Sequence, residues 1–146
     1  MATHSASDLN SKPLPMGGYG NAAMVWGTVT PSSGALASVY RPVRIPAGMT
    51  VTGLKINNAD LDTGGTAFAV KIGYTPVDST AGPTADDDYF SAATTILSAA
   101  ALTDLRFPPI KFEKDVYVDL TVTVAATTFA SGDITAIVTG EATGVK

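Results

Sequence analysis

Ala67-Phe68-Ala69-Val70-Lys71-Ile72-Gly73-Tyr74 alternates without interruption. Phe68, Val70, Ile72 and Tyr74 fall on one side of the chain; Ala67, Ala69, Lys71 and Gly73 fall on the other. Successive side chains of a strand point to opposite faces of its sheet, so a period of two predicts a strand with one buried face. Two further apolar runs precede it, Val39-Tyr40-Arg41-Pro42-Val43-Arg44-Ile45 and Val51-Thr52-Gly53-Leu54-Lys55-Ile56-Asn57. Ile45-Pro46-Ala47-Gly48 separates these two and fits a type I turn, with Pro at its second position and Gly at its fourth. Asp60-Leu61-Asp62-Thr63-Gly64-Gly65 supplies another turn before the alternating run. The three runs predict an antiparallel sheet in the middle of the chain.

Outward from this centre the same pattern recurs. Val116 to Val124 places Val116, Val118, Leu120, Val122 and Val124 on one face, with Tyr117, Asp119, Thr121 and Thr123 on the other. Asn21 to Thr30 predicts a first strand and Ile134 to Thr139 a last one. Pro42 lacks an N–H donor, which predicts an edge or a bulge in the run 36–45. Phe107 to Phe112 carries Pro108-Pro109 and predicts an irregular or edge strand. Residues 75–88 predict a long loop. The Ala-rich stretch 90–101 predicts a helical turn, weakened by β-branched Thr94, Thr95 and Ile96. About seven or eight strands at this spacing predict an all-β antiparallel sandwich or barrel.

The chain of 146 residues is long enough for one domain with its own core. Residues 1–20, with Pro13, Pro15, Gly17, Gly18 and Gly20, predict an extended N-terminal arm without regular structure. Residues 21–146 predict a single β-sandwich domain. Leu14, Met16 and Tyr19 are the apolar members of the arm and its candidate partner-binding residues.

Charged residues make up 15% of the chain, against about 25% in ordinary domains. So sparse a charge protects poorly against association; it fits an ordinary small β domain and also, as the preferred reading, a subunit that works against another protein. Eleven of the acidic residues are Asp and two are Glu, a bias toward turns rather than helices. A net charge of −4, with Lys and Arg scattered and no basic stripe among aromatics, argues against nucleic acid as a partner. No run of about 18 apolar residues predicts a membrane helix, and the first dozen residues hold no apolar core of a signal peptide.

The chemistry-bearing residues are few. There is no Cys and one His, His4, so a Cys-based or His-rich metal site is ruled out by count. A Ser-His-Asp or Cys-His arrangement would have to recruit His4 from the arm. Gly17-Gly18-Tyr19-Gly20 lacks the strand and the Lys-Ser/Thr of a phosphate loop. Asp86-Asp87-Asp88, with Asp78 nearby, offers oxygens for a hard cation, and a solvated loop is its simpler reading. Asp60-Leu61-Asp62-Thr63-Gly64 opens like a calcium loop, but Gly64 and Lys71 occupy positions where such a loop needs oxygen ligands. The expectation is no catalytic residue, no metal and no cofactor. Trp26 is expected in the core or in a subunit interface rather than in a ligand platform.

The stretch Tyr40 to Tyr74, with Ile45-Pro46-Ala47-Gly48 and Ala59-Asp60-Leu61-Asp62-Thr63-Gly64-Gly65, resembles a known group. Asp88-Tyr89-Phe90, Ala92-Ala93-Thr94-Thr95 and Thr127-Thr128-Phe129-Ala130-Ser131-Gly132 add to the resemblance. The group is the small β-sandwich proteins of tailed bacteriophages that decorate or cement the capsid. The resemblance covers about residues 37–140 and leaves the arm unmatched. It implies a jelly-roll fold and a structural protein on the virion exterior, made in the host cytoplasm. It also implies major capsid protein as partner and a homo-oligomer, a dimer in preference to a trimer. It carries over no catalytic residue. The competing reading is a phage tail or spike module that recognises carbohydrate. An exposed cluster of Trp26 with several tyrosines would favour that reading.

Overall fold

The computed structural model describes residues 1–11, 21–65 and 67–145. Eleven strands run through these residues: β1 (Thr3–Ser5), β2 (Asn21–Val29), β3 (Val39–Arg41), β4 (Arg44–Ile45), β5 (Met49–Asn58), β6 (Ala69–Pro76), β7 (Asp86–Thr94), β8 (Ala101–Leu105), β9 (Ile110–Phe112), β10 (Val116–Val124) and β11 (Ile134–Ala142). A single 3-10 turn, Ile96–Ser98, supplies the predicted helical element. The residues before it, expected to share the turn, belong to β7 instead.

Two sheets face each other. The first has the order β1-β3-β10-β6-β7, with β4 also on β10; the second has the order β2-β11-β5-β8, with β9 also on β5. The pairings are antiparallel except for β1 with β3, which is parallel. Interruptions split two positions: Pro42-Val43 divides β3 from β4, and Arg106 to Pro109 divides β8 from β9. Counting each divided pair once and setting β1 aside leaves eight positions, four in each sheet. Consecutive positions lie in opposite sheets, apart from the step from β6 to β7. This is the jelly-roll arrangement, and at this level the predicted strand number holds.

The alternation corrects one expectation. The three central runs do not form one sheet. β4 and β6 lie in the first sheet and β5 lies in the second. The turn between β4 and β5 is therefore a corner between layers rather than a hairpin. Gly48 takes φ +82° there, a left-handed conformation that costs other residues roughly 1–2 kcal/mol. A type I turn ending at Gly48 does not require that hand. The Gly48 N–H donates to the Phe112 carbonyl at 2.7 Å, and its own carbonyl accepts from the Thr143 N–H at 2.9 Å. The corner is thus tied to β9 and to the chain after β11.

The inward faces follow the sequence periodicity. Phe68, Val70, Ile72, Val116, Val118 and Leu120 are fully buried, with Leu54, Ile56, Ile134, Ala136 and Val138 opposite them in the second sheet. Each large aliphatic or aromatic side chain so buried contributes roughly 1.5–3 kcal/mol. Val124 departs from the pattern and is exposed. The register of β10 on β6 shifts between Val122 and Val124, and the bulge turns the last residue outward. Pro42 marks a break as expected: β3 has β1 outside it, while β4, beyond the proline, pairs only with β10 among the described strands.

Residues 3–11 depart from the predicted arm. Thr3, His4 and Ser5 pair with Val39, Tyr40 and Arg41. Ala6 is buried and Leu9 packs against the core. A strand of three residues is too short to show a period in sequence, which is why the segment looked structureless.

Candidate interaction surfaces

The outer face of the first sheet carries an extended polar network that joins β3, β6 and β10. β3, β6 and β10 place Arg41, Thr75 and Asp119 side by side, with Tyr117 two residues along β10. Arg41 donates from Nε to Asp119 Oδ1 at 2.8 Å and from Nη2 to Oδ2 at 3.1 Å. Thr75 Oγ1 donates to Asp119 Oδ2 at 2.8 Å and accepts from Arg41 Nη2 at 3.2 Å. The guanidinium lies 4.9 Å from the centre of the Tyr117 ring, and the Tyr117 hydroxyl donates to Asn10 Oδ1 at 2.9 Å. Hydrogen bonding to Asp119 raises the Arg41 pKa above its already high ordinary value, against the opposing effect of burial. Asp119 is only 4% exposed, so its charge is spent on neighbours within the sheet. The network is a rigid, self-satisfied plate that also anchors the N-terminal segment. Sequence reading put Asp119 on an exposed face and missed its burial. The available signal was Asp119 as the one charged residue of an otherwise uncharged strand.

His4 is taken up by packing. Its ring centre lies 5.9 Å from that of Tyr40. Tyr40 is buried, donates to the Ser33 carbonyl at 2.7 Å, and has its phenol pushed up to about 12 by desolvation.

The acidic features separate in kind. Asp86, Asp87 and Asp88 bring carboxylate oxygens within 4.8 Å of one another. The Lys71 ammonium lies 3.3 Å from Asp87 and 3.8 Å from Asp88, and so competes with any cation for the same oxygens. Asp62, by contrast, is buried. Its Oδ1 accepts the Thr128 N–H at 2.9 Å, while Oδ2 makes no side-chain hydrogen bond of normal geometry. The Thr128 N–H, with lesser help from those of Thr127, Gly64 and Phe68, holds its carboxyl below the usual range. Asp62 is therefore a clamp between two loops. Asp60 completes the turn by accepting the Asp62 N–H at 3.0 Å.

The outer face of the second sheet is different. One register row runs Trp26, Ile137, Lys55, Asp104 across β2, β11, β5 and β8. The next runs Met24, Thr139, Gly53. Trp26 is 49% exposed and Met24 53%, so Trp26 is not a core residue. The described tyrosines do not join it. Tyr40 and Tyr74 are buried, Tyr89 packs edge-on against Phe90 and at a tilt to Phe107, and Tyr117 sits under Arg41. An aromatic platform of the kind that grips sugar rings is not assembled among these residues. Leu14, Met16 and Tyr19 lie outside the described residues.

Two solved chains share this fold. A chain in the capsid of Ralstonia phage GP4 superposes with a TM-score of 0.79 at 15% identity, covering 99% of each chain. A chain in the capsid asymmetric unit of cyanophage Pam1 superposes with a TM-score of 0.65 at 18% identity, covering 93% of this chain and 95% of that one. No family model matches the sequence, and no curated protein does.

Proposed function

We propose that the chain is a non-enzymatic structural protein of a tailed-phage virion. It attaches to the outside of the capsid shell and cements neighbouring major capsid protein subunits. The observation that carries this reading is the match, end to end in both chains, to a chain in a phage capsid. The sparse charge and the shortage of catalytic side chains support it from the sequence side. The chain acts as a homo-oligomer, a dimer in preference to a trimer, since closed symmetry is the usual state of self-associating proteins. Leu14, Met16 and Tyr19 are the proposed shell-contacting residues of the N-terminal region. Binding only the assembled shell stabilises it by mass action.

The test is co-sedimentation of purified protein with phage shells on a density gradient, followed by heating of the loaded and bare shells. Saturable co-migration and a raised shell disruption temperature are expected. A chain that stays at the top of the gradient, or that loads without changing shell stability, overturns the cementing role. Leu14→Ala/Met16→Ala/Tyr19→Ala should weaken loading while leaving the fold intact.

A further inference from the structure

A sandwich has four sheet edges, and three of these are defended. β1 is three residues long. β7 begins with Asp86, Asp87 and Asp88, and its register on β6 shifts twice. The β8 and β9 edge is broken into short pieces by Arg106, Phe107, Pro108 and Pro109 and carries Asp104 and Lys111. Short strands, charges, prolines and bulges are the devices by which sheets avoid pairing with other chains. β2 has none of them. It runs nine residues, Asn-Ala-Ala-Met-Val-Trp-Gly-Thr-Val, with no charge and no proline. Among the described strands it pairs only with β11. Its outer face adds the half-exposed Met24 and Trp26.

We propose that the β2 edge is the self-association site of this protein, occupied by β2 of a second copy running antiparallel about a two-fold axis at Val25. This register sets Met24 opposite Trp26 of the other copy, and Ala22 opposite Thr28. Because the offsets are even, outward residues meet outward residues and inward meet inward. Four large side chains then form one cluster on the outer face. The strand itself carries no charge, which favours a second copy, because two identical strands meet without like-charge repulsion along it. Asp8 and Arg44, which line a crevice with Val25, Trp26 and Gly27, lie off the strand and carry opposite signs. Self-pairing of β7 would instead set Asp86, Asp87 and Asp88 against themselves. A strand of nine residues is about 30 Å long. A contact along it that includes Met24 and Trp26 needs roughly 600 Å² per partner to reach the low end for a specific interface. The inference deepens the oligomer part of the proposed function and does not depend on shell attachment.

The chain has no cysteine, so introduced thiols report cleanly. Met24→Cys and Trp26→Cys are made as separate full-length variants, checked by thermal melting, and oxidised alone and as a mixture. The mixture should give a disulfide-linked dimer several-fold faster than either variant alone, because bridging needs Cα atoms within about 7 Å and diagonal positions lie at about 7–8 Å. Trapping registers a contact too weak to sediment. In wild type, Met24→Lys/Trp26→Lys should weaken self-association by roughly tenfold or more. Either variant alone linking as fast as the mixture, no link in any combination, or dimers that persist in Met24→Lys/Trp26→Lys would each overturn the proposal. A link to a shell protein in place of the chain dimer would assign β2 to a different strand and overturn it too. Met24→Lys/Trp26→Lys that is monomeric yet still sediments with shells supports a self-contact separate from attachment.

Discussion

Arg41 and Asp119 show how far a charge can be built into a sheet of this kind. Removing the guanidinium leaves a buried carboxylate with only Thr75 beside it. Arg41→Met should therefore cost about 2–3 kcal/mol, between the values for exposed and buried pairs. Arg41→Met/Asp119→Leu should recover most of that loss, and urea unfolding of the single and double variants measures the coupling. Asp62 gives a pH signature. Its carboxyl is held below the ordinary value by the N–H of Thr128. The stabilisation is complete above the unfolded value near about 3.9 and fades as pH falls through the lower folded value. The melting temperature should drop with acid over that window, and Asp62→Asn should flatten the drop. Some acid sensitivity will remain, because Thr80 holds the Asp78 carboxyl low in the same sense. An Asp62→Asn chain with the wild-type profile would remove the clamp role. Neither network was legible in the sequence. The charges that meet lie tens of residues apart, and only the closing of the sheet brings them together.

At the level of the strand, sequence and structure agree closely. Alternation located β6 and β10, and it identified the inward set that includes Leu120. Leu120→Asp should abolish folding, because it places an unpaired charge among fully buried neighbours; a cooperative melt from that variant would remove Leu120 from the core. What alternation cannot convey is which sheet a strand joins, since in and out look the same in both layers. That is why the corner at Gly48 resembled a hairpin. Gly48→Ala should cost at least about 1–2 kcal/mol from backbone conformation, and a Cβ there would also lie 2.5 Å from the Gly144 carbonyl carbon. Chemical denaturation of this variant, compared with an alanine at an ordinary loop position, isolates the corner's contribution. β1 was illegible for a different reason: three residues paired with a distant strand leave no periodic trace.

For the molecule as a whole, β1 and the residues after it act as a cover for one margin of the first sheet. Removing residues 1–11 uncovers Tyr40 and the packing around Ala6 and Leu9. The loss should be roughly 2–4 kcal/mol, lowering Tm by roughly 6–12 °C. That exceeds the small change expected of a loose arm; a truncated chain melting with the full one would return the segment to that status. The position of β11 has a temporal consequence. It lies between β2 and β5, each of which has its main neighbour in this final strand. A ribosome adds about 5–20 residues per second, so β2 and β5 wait several seconds beside no common neighbour while the rest of the chain emerges. The second layer can close only after synthesis has passed β11. Nascent chains stalled before residue 134 should therefore be protease-sensitive and in need of chaperone protection, however complete the first layer is by then.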